Sequence, residues 1–181
     1  MKKTLLITGL AFVLPFLVQA APDDPVAPGV IKAFRDAGLP VEENGIRPID
    51  FELPLLEGGR LKLSDLKGRP VFLNFWATWC GPCRSEMPSM EAVYKRLKDR
   101  GFGILAVNIG EDSEDVLPFM KRYKLSFPVA LDTSSDVAVR YGIQAIPTTY
   151  IIDKRGLIVS RVVGSIDWNK PRIITAFESL F

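Results

Sequence analysis

No histidine occurs among the 181 residues, and only two cysteines do, Cys80 and Cys83. Those shortages close off several chemistries. A structural zinc site takes four Cys or His ligands, so one chain lacks the donors and no metal site is expected. Without a histidine to pair with a thiol, the cysteine-protease arrangement is excluded too. Charge of one sign is also missing: 23 basic residues face 21 acidic ones, and the first 20 residues hold two of the lysines and no acid. The chain beyond residue 20 is formally neutral, so a nucleic-acid partner, which needs clustered positive charge, is not expected. The one basic run, "YKRLKDR" from Tyr94 to Arg100, reads as the solvated last turn of a helix, where cations complement the dipole. Repeats and low-complexity tracts are absent, and 48% hydrophobic residues suffice for one ordinary core.

What is present begins with "MKKTLLITGLAFVLPFLVQA". Lys2 and Lys3, an apolar run from Leu5 to Val18, and small Ala20 stand in the order of a secretory signal, cleaved after Ala20. Pro15 interrupts the run, which is short for a membrane span, and retention as an anchor is the alternative. No cysteine stands directly at its end, so a lipoprotein anchor is excluded. The chain is expected to work outside the cytoplasmic membrane, in the periplasm or its equivalent, touching a membrane only if the leader is retained. Residues 21–46 form an extension punctuated by Pro and Gly. Within it "GVIKAFRDAG" suits a short amphipathic helix with Val30, Ile31 and Phe34 on one side, either packed on the domain or part of a loose spacer.

A domain over residues 47–181 is expected to be α/β. "IDFELPLLEGGRLKLSDLKGRP" alternates around Gly58-Gly59 as a β-hairpin does. "VFLNFWA" and "GFGILAVNI" read as strands buried on both faces. Met87, Met90, Val93, Tyr94 and Leu97 recur at helical spacing after the cysteines, with Pro88 near the helix start and Gly101 as its stop. "SEDVLPFMKRYK" is a helix, "FPVALD" a strand, and "SSDVAVRYG" a short helix capped by Ser. "TTYIID" and "LIVSRVVG" should pair antiparallel across "KRG", and "WNKPRIITAFESLF" closes the chain as a helix. That order implies a central mixed sheet with helices on both faces.

The cysteines sit in "NFWATWCGPCRSEMP". As a structural staple, Cys80–Cys83 would close so small a loop that little stability results. A working redox couple fits better. The strand ending at Ala77 delivers Cys80 to the first turn of a helix, where free N–H groups and the dipole favour a thiolate. Pro82 suits that turn, having no N–H to leave unpaired. Arg84 adds positive charge. Cys80 is then the exposed attacking thiol, and Cys83 the one that resolves a mixed disulfide. C-x-x-C after a strand is a thioredoxin-type signal.

"WCGPC" is similar to the thioredoxin active site. With "LSDLKGRPVFLNFWA" before it and "IQAIPTTYIIDKRG" after it, "FWATWCGPCRSEMP" resembles the TlpA/ResA-like branch of exported thiol–disulfide oxidoreductases, from about Ile49 to Phe181. The resemblance implies a thioredoxin fold with an N-terminal β-hairpin and a central insertion around "EDSEDVLPFMKRYK". It implies catalytic roles for Cys80 and Cys83 and proton transfer by Glu86, whose alternative is an exposed acid in a helix's first turn. Pro147 matches the family's cis-proline, presenting the Ile146 backbone to substrate; residue statistics alone would make Ile146–Pro147 a trans bond. Trp79, Gly81 and Pro82 complete the substrate surface, while Trp76 belongs to the core and Trp168 to C-terminal packing. Asn74 stands where cytoplasmic thioredoxins carry a buried Asp and cannot shuttle a proton.

The implied activity is reduction of extracytoplasmic protein disulfides, apocytochromes c among them, by a monomer with no cofactor and a membrane thiol transporter as electron donor. A dithiol oxidase or isomerase, a peroxiredoxin-type peroxidase, and a binding module that uses the fold only for docking are the alternatives.

Overall fold

The computed structural model describes residues 25–181, so the leader expected at residues 1–20 lies outside the described residues. In chain order the elements are α1 (Pro28–Asp36), β1 (Glu52–Pro54), β2 (Arg60–Lys62), β3 (Val71–Trp76), α2 (Gly81–Leu97), β4 (Gly103–Ile109), α3 (Ser113–Tyr123), β5 (Val129–Asp132), α4 (Asp136–Arg140), β6 (Thr148–Ile152), β7 (Ile158–Val163) and α5 (Pro171–Glu178). Five strands form one mixed sheet in the order β5-β4-β3-β6-β7. β3 is its centre, parallel to β4 and antiparallel to β6, and every residue from Val71 to Trp76 is buried. A run without alternation is what a strand covered on both faces requires.

Alternate side chains of β3 nevertheless go to different cores. Phe72 and Trp76 join α1, α2, α3 and α5 on one face, with Met87, Met90, Phe119 and Phe177. Val71, Leu73 and Phe75 join the hairpin and α4 on the other, with Phe51, Leu53 and Val137. Asn74 shares the Phe72–Trp76 face, which is why a polar strand residue can meet α2.

The hairpin forms as the glycines predict, β1 antiparallel to β2, with Gly58 and Gly59 at φ 97° and 78°. Only glycine adopts that left-handed backbone without strain. The hairpin is a separate two-stranded sheet that leans on the edge of β5, where Leu56 N donates to Val129 O at 2.9 Å. The expected insertion supplies α3, the crossover between parallel β4 and β5.

Of the two readings of residues 21–46, packing on the domain is the one found for the described part. α1 starts with Pro28, whose fixed φ suits a first helical turn. It buries Val30 and Phe34, while Ile31 is half-buried; the Phe34 ring lies 6.3 Å from that of Phe177 on α5. Glu42 N donates to Val159 O at 2.8 Å, and Arg155 Nη2 to Pro25 O at 3.2 Å. The basic run after Tyr94 ends α2 as expected, with Lys95 paired to Glu91 at 3.0 Å and Arg100 to Glu178 at 3.3 Å.

The cap of α4 differs from the expectation. Ser135 occupies the cap position at φ 63° but makes no side-chain capping bond. The carboxylate of Asp132, at the end of β5 and 1% exposed, accepts instead from Val137 N at 3.2 Å and Ala138 N at 2.8 Å. A carboxylate reaches two free N–H groups at once where a hydroxyl would reach one, and it complements the helix dipole. Asp132→Ala should lower unfolding free energy by about 1–2 kcal/mol in urea titrations. Ser135→Ala should leave the midpoint nearly unchanged, and the reverse order would return the cap to Ser135.

Candidate active site

Beyond Trp76 the chain leaves β3 in a tight turn, in which Cys80 N donates to Ala77 O at 3.2 Å. Cys80 is the N-cap of α2, its Sγ accepting from Cys83 N at 3.2 Å. Sulfur therefore takes the place of the usual capping oxygen, and the N–H that holds it would favour its anion. Pro82 lies in the first turn, where its missing N–H costs nothing. Cys80 and Cys83 are joined as a disulfide, with Cα atoms 5.3 Å apart.

Cys80 is less open than expected. It is 5% exposed and Cys83 0%, whereas Trp79 beside them is 68% exposed. The difference comes from the turn: Trp79 points outward, while Cys80 is covered by the segment before β6. There the Ile146–Pro147 bond is cis, and Ile146 O lies 3.6 Å from Cys80 Sγ. Pairing of Phe75 with Thr148 brings that segment alongside the end of β3. Pro147 is buried and its carbonyl accepts from Gly164 N at 2.8 Å; Ile146 and Gly81 are half-buried, and Pro82 and Arg84 exposed.

Glu86, one turn after Cys83, is not the exposed acid of the plainer reading. It is 1% exposed. Its Oε1 accepts from Asn74 Nδ2 at 3.0 Å and its Oε2 from Trp168 Nε1 at 2.9 Å. Asn74 Nδ2 also donates to Thr149 Oγ1 at 2.9 Å. Burial dominates, pushing the Glu86 carboxyl up to about 7 against the opposing bonds from Trp168, Asn74 and the Ile166 backbone. Trp168 thus does more than pack. It is 0% exposed against Phe72, at 4.8 Å between centroids, and also donates to the Glu86 carboxyl. Trp76 is core, as expected, 5.1 Å from Phe119.

One residue of this site escaped the sequence reading. Glu111, just past β4, accepts from Thr78 N at 2.7 Å, from Thr78 Oγ1, and from Asn108 Nδ2 at 2.7 Å. The available signal was position: an acid directly after "NIG", at the carboxyl end of a buried strand, where α/β folds gather functional groups.

The AhpC/TSA family profile matches residues 45–161, a span that holds both cysteines and Pro147. The thiol-disulfide oxidoreductase ResA of Bacillus subtilis (strain 168) is 47% identical over 117 residues, which are 65% of this chain and 65% of that one. The chain thus spans just under two thirds of that relative's length. ResA of Bacillus thuringiensis subsp. konkukian (strain 97-27) is 41% identical over 122 residues, 67% of this chain and 70% of its own. Among solved structures, a thiol:disulfide interchange protein of the thioredoxin family from Chlorobium tepidum TLS superposes with a TM-score of 0.65 at 29% identity, covering 75% of this chain and 99% of that one. StoA from Bacillus subtilis superposes at 0.61 and 27% identity, covering 71% and 97%.

Proposed function

The chain belongs to the AhpC/TSA family, and from that premise we propose that it is an exported thiol–disulfide oxidoreductase that reduces disulfides in other proteins. The observation that carries this reading is the position of Cys80 as the N-cap of α2, its sulfur held by Cys83 N–H beside the cis Ile146–Pro147 segment. The names of the ResA relatives support the reaction class.

In the proposed cycle the Cys80 thiolate attacks one sulfur of a substrate disulfide. A mixed disulfide forms, and the other substrate sulfur leaves and takes up a proton. Cys83 then gives up its proton and attacks Cys80 Sγ, closing the Cys80–Cys83 bond and releasing the second substrate thiol. Two electrons pass from the dithiol to the substrate. Because Cys83 has no exposed surface, only the mixed disulfide on Cys80 is within its reach. Glu86, one helical turn from Cys83 and poised near neutrality, is the proposed acceptor of the Cys83 proton. Trp79, Gly81 and Pro82 with Ile146 and Pro147 form the proposed docking rim, extended substrate lying along the Ile146 backbone.

Cleavage of the leader after Ala20 would release the chain outside the cytoplasmic membrane, with residues 47–181 as its thioredoxin-like domain. Retention would tether it there. No helix among the described residues is long and apolar enough to cross a membrane. An oxidising compartment supplies no thiol buffer, so a membrane thiol transporter is the proposed electron donor. Apocytochromes c are the proposed substrates, and the monomer the proposed active form.

The test is the equilibrium reduction potential of Cys80–Cys83 in a defined thiol buffer. A value near that of thioredoxin, about −270 mV, is expected of a reductant. A value near about −120 mV would make the chain a dithiol oxidase and overturn the direction proposed. Rapid thiol-dependent consumption of hydrogen peroxide would favour the peroxidase alternative instead.

A further inference from the structure

Glu111 touches no sulfur, yet it holds the turn that delivers one. Its Oε2 accepts from Thr78 N and from Asn108 Nδ2, each at 2.7 Å, and its Oε1 accepts from Thr78 Oγ1. The clasp is itself anchored at both ends. Asn108 is 0% exposed and sits opposite Trp76 in the β3–β4 ladder, while Thr133 Oγ1 donates to the Glu111 carbonyl at 3.2 Å. Thr78 lies two residues before Cys80, inside the turn closed by Cys80 N and Ala77 O at 3.2 Å.

We propose that Glu111 is a positioning residue for the attacking thiol, its carboxylate fixing Thr78 so that Cys80 Sγ meets the Cys83 N–H. The proposal rests on the reading of Cys80 as the nucleophile. Geometry here works against electrostatics. A negative charge near the start of α2 by itself opposes a thiolate, whereas the bonds it makes align the N–H that favours one. The two effects carry opposite signs, so variants can separate them.

In Glu111→Gln the amide oxygen can take the place of Oε2, and the amide N–H₂ can donate to Thr78 Oγ1. The clasp survives and the charge goes. In Glu111→Asp the charge stays, but the reach is one methylene short. The experiment measures the Cys80 ionisation by ultraviolet thiolate absorbance and the rate of its alkylation by iodoacetamide, in the reduced full chain, for the wild type, Glu111→Gln, Glu111→Asp and Glu111→Ala. Positioning predicts that Gln stays within about twofold of the wild type. Asp and Ala should slow alkylation about tenfold at neutral pH, with the thiol pKa raised by about one unit.

If Gln shifts the thiol while Asp does not, the charge is what matters and the proposal fails. If no variant moves either quantity, the clasp is only a fold contact and the proposal fails likewise. Should Glu111→Ala lose its circular-dichroism signature, Thr78→Val takes its place. Valine keeps the shape and the backbone N–H bond and loses the hydroxyl arm, so a smaller change in the same direction is expected. Neither readout uses a disulfide substrate. A chain that reduces no protein disulfide would sink the functional reading and leave this one to be judged on its own numbers.

Discussion

Cys83→Ser should halt turnover and leave the protein covalently bound to its substrate. With Cys83 fully buried behind Cys80, the serine variant can still present the Cys80 thiolate, since the capping bond comes from the backbone N of residue 83. Attack on a substrate disulfide proceeds, but no thiol is in place to release the product. Multiple-turnover reduction of a protein disulfide should fall by about three orders of magnitude or more. A band sensitive to dithiothreitol, at the summed mass of protein and substrate, should accumulate on non-reducing gels. Cys80→Ser should lose the same turnover and trap nothing, because a buried thiol at position 83 does not reach incoming substrate. Equal trapping by the two variants would contradict the assignment of nucleophile and resolving thiol.

Glu86→Gln should remove a pH dependence of stability that runs opposite to that of ordinary carboxylates. The carboxyl is raised in the fold from 4.5 to about 7, chiefly by burial. A raised group contributes stability that is complete below its unfolded value and is lost as pH climbs through the folded one. For Glu86 the window is therefore about pH 4.5 to 7, and the loss across it is about 3 kcal/mol. Asp50 and Glu91 are lowered in the fold, by bonds from Ser64 and Lys62 and from Ser126 and Lys95 that outweigh partial burial, so their contribution rises with pH and fades as pH falls. The informative quantity is the difference between wild type and Glu86→Gln in urea midpoints from pH 4.5 to 8, in the oxidised form. That difference should slope by the amount given, whatever constant offset the amide introduces. A flat difference would mean that Glu86 keeps an ordinary carboxylate ionisation. The same variant should lose any inflection near pH 7 in the rate at which Cys83 resolves a mixed disulfide.

The elements were legible because each rests on short-range pattern. The apolar run from Val71 to Ala77, broken only by Asn74, is what a strand covered on both faces requires, and β3 is one. Gly58-Gly59 marked the hairpin because glycine takes the left-handed conformation without a Cβ penalty, and two in succession let the chain reverse. The spacing of Cys80 and Cys83 after that strand located the dithiol. The cap of α4 was misplaced for the converse reason. Asp132 and Ser135 are both good caps by type, and which of them faces Val137 N and Ala138 N depends on how β5 ends.

Long-range partners were not legible. Glu86 by itself is an acid in a helix's first turns. Only the meeting of β3, α2 and the segment before α5 sets Asn74 and Trp168 around it and removes water from it. Glu111 carries no local signature of a clasp, because only Asn108 is near it in the chain and Thr78, past the end of β3, is 33 residues away. The openness of Cys80 was overstated since nothing near it in the chain covers it; Ile146 does so from 66 residues away. By itself, then, the sequence determined the elements and the place of the dithiol. The tertiary structure alone decided how far each functional group is desolvated and what it is bonded to. Patterning is a property of neighbouring residues, whereas burial and hydrogen-bond partnership are properties of surfaces that meet only once the chain has folded.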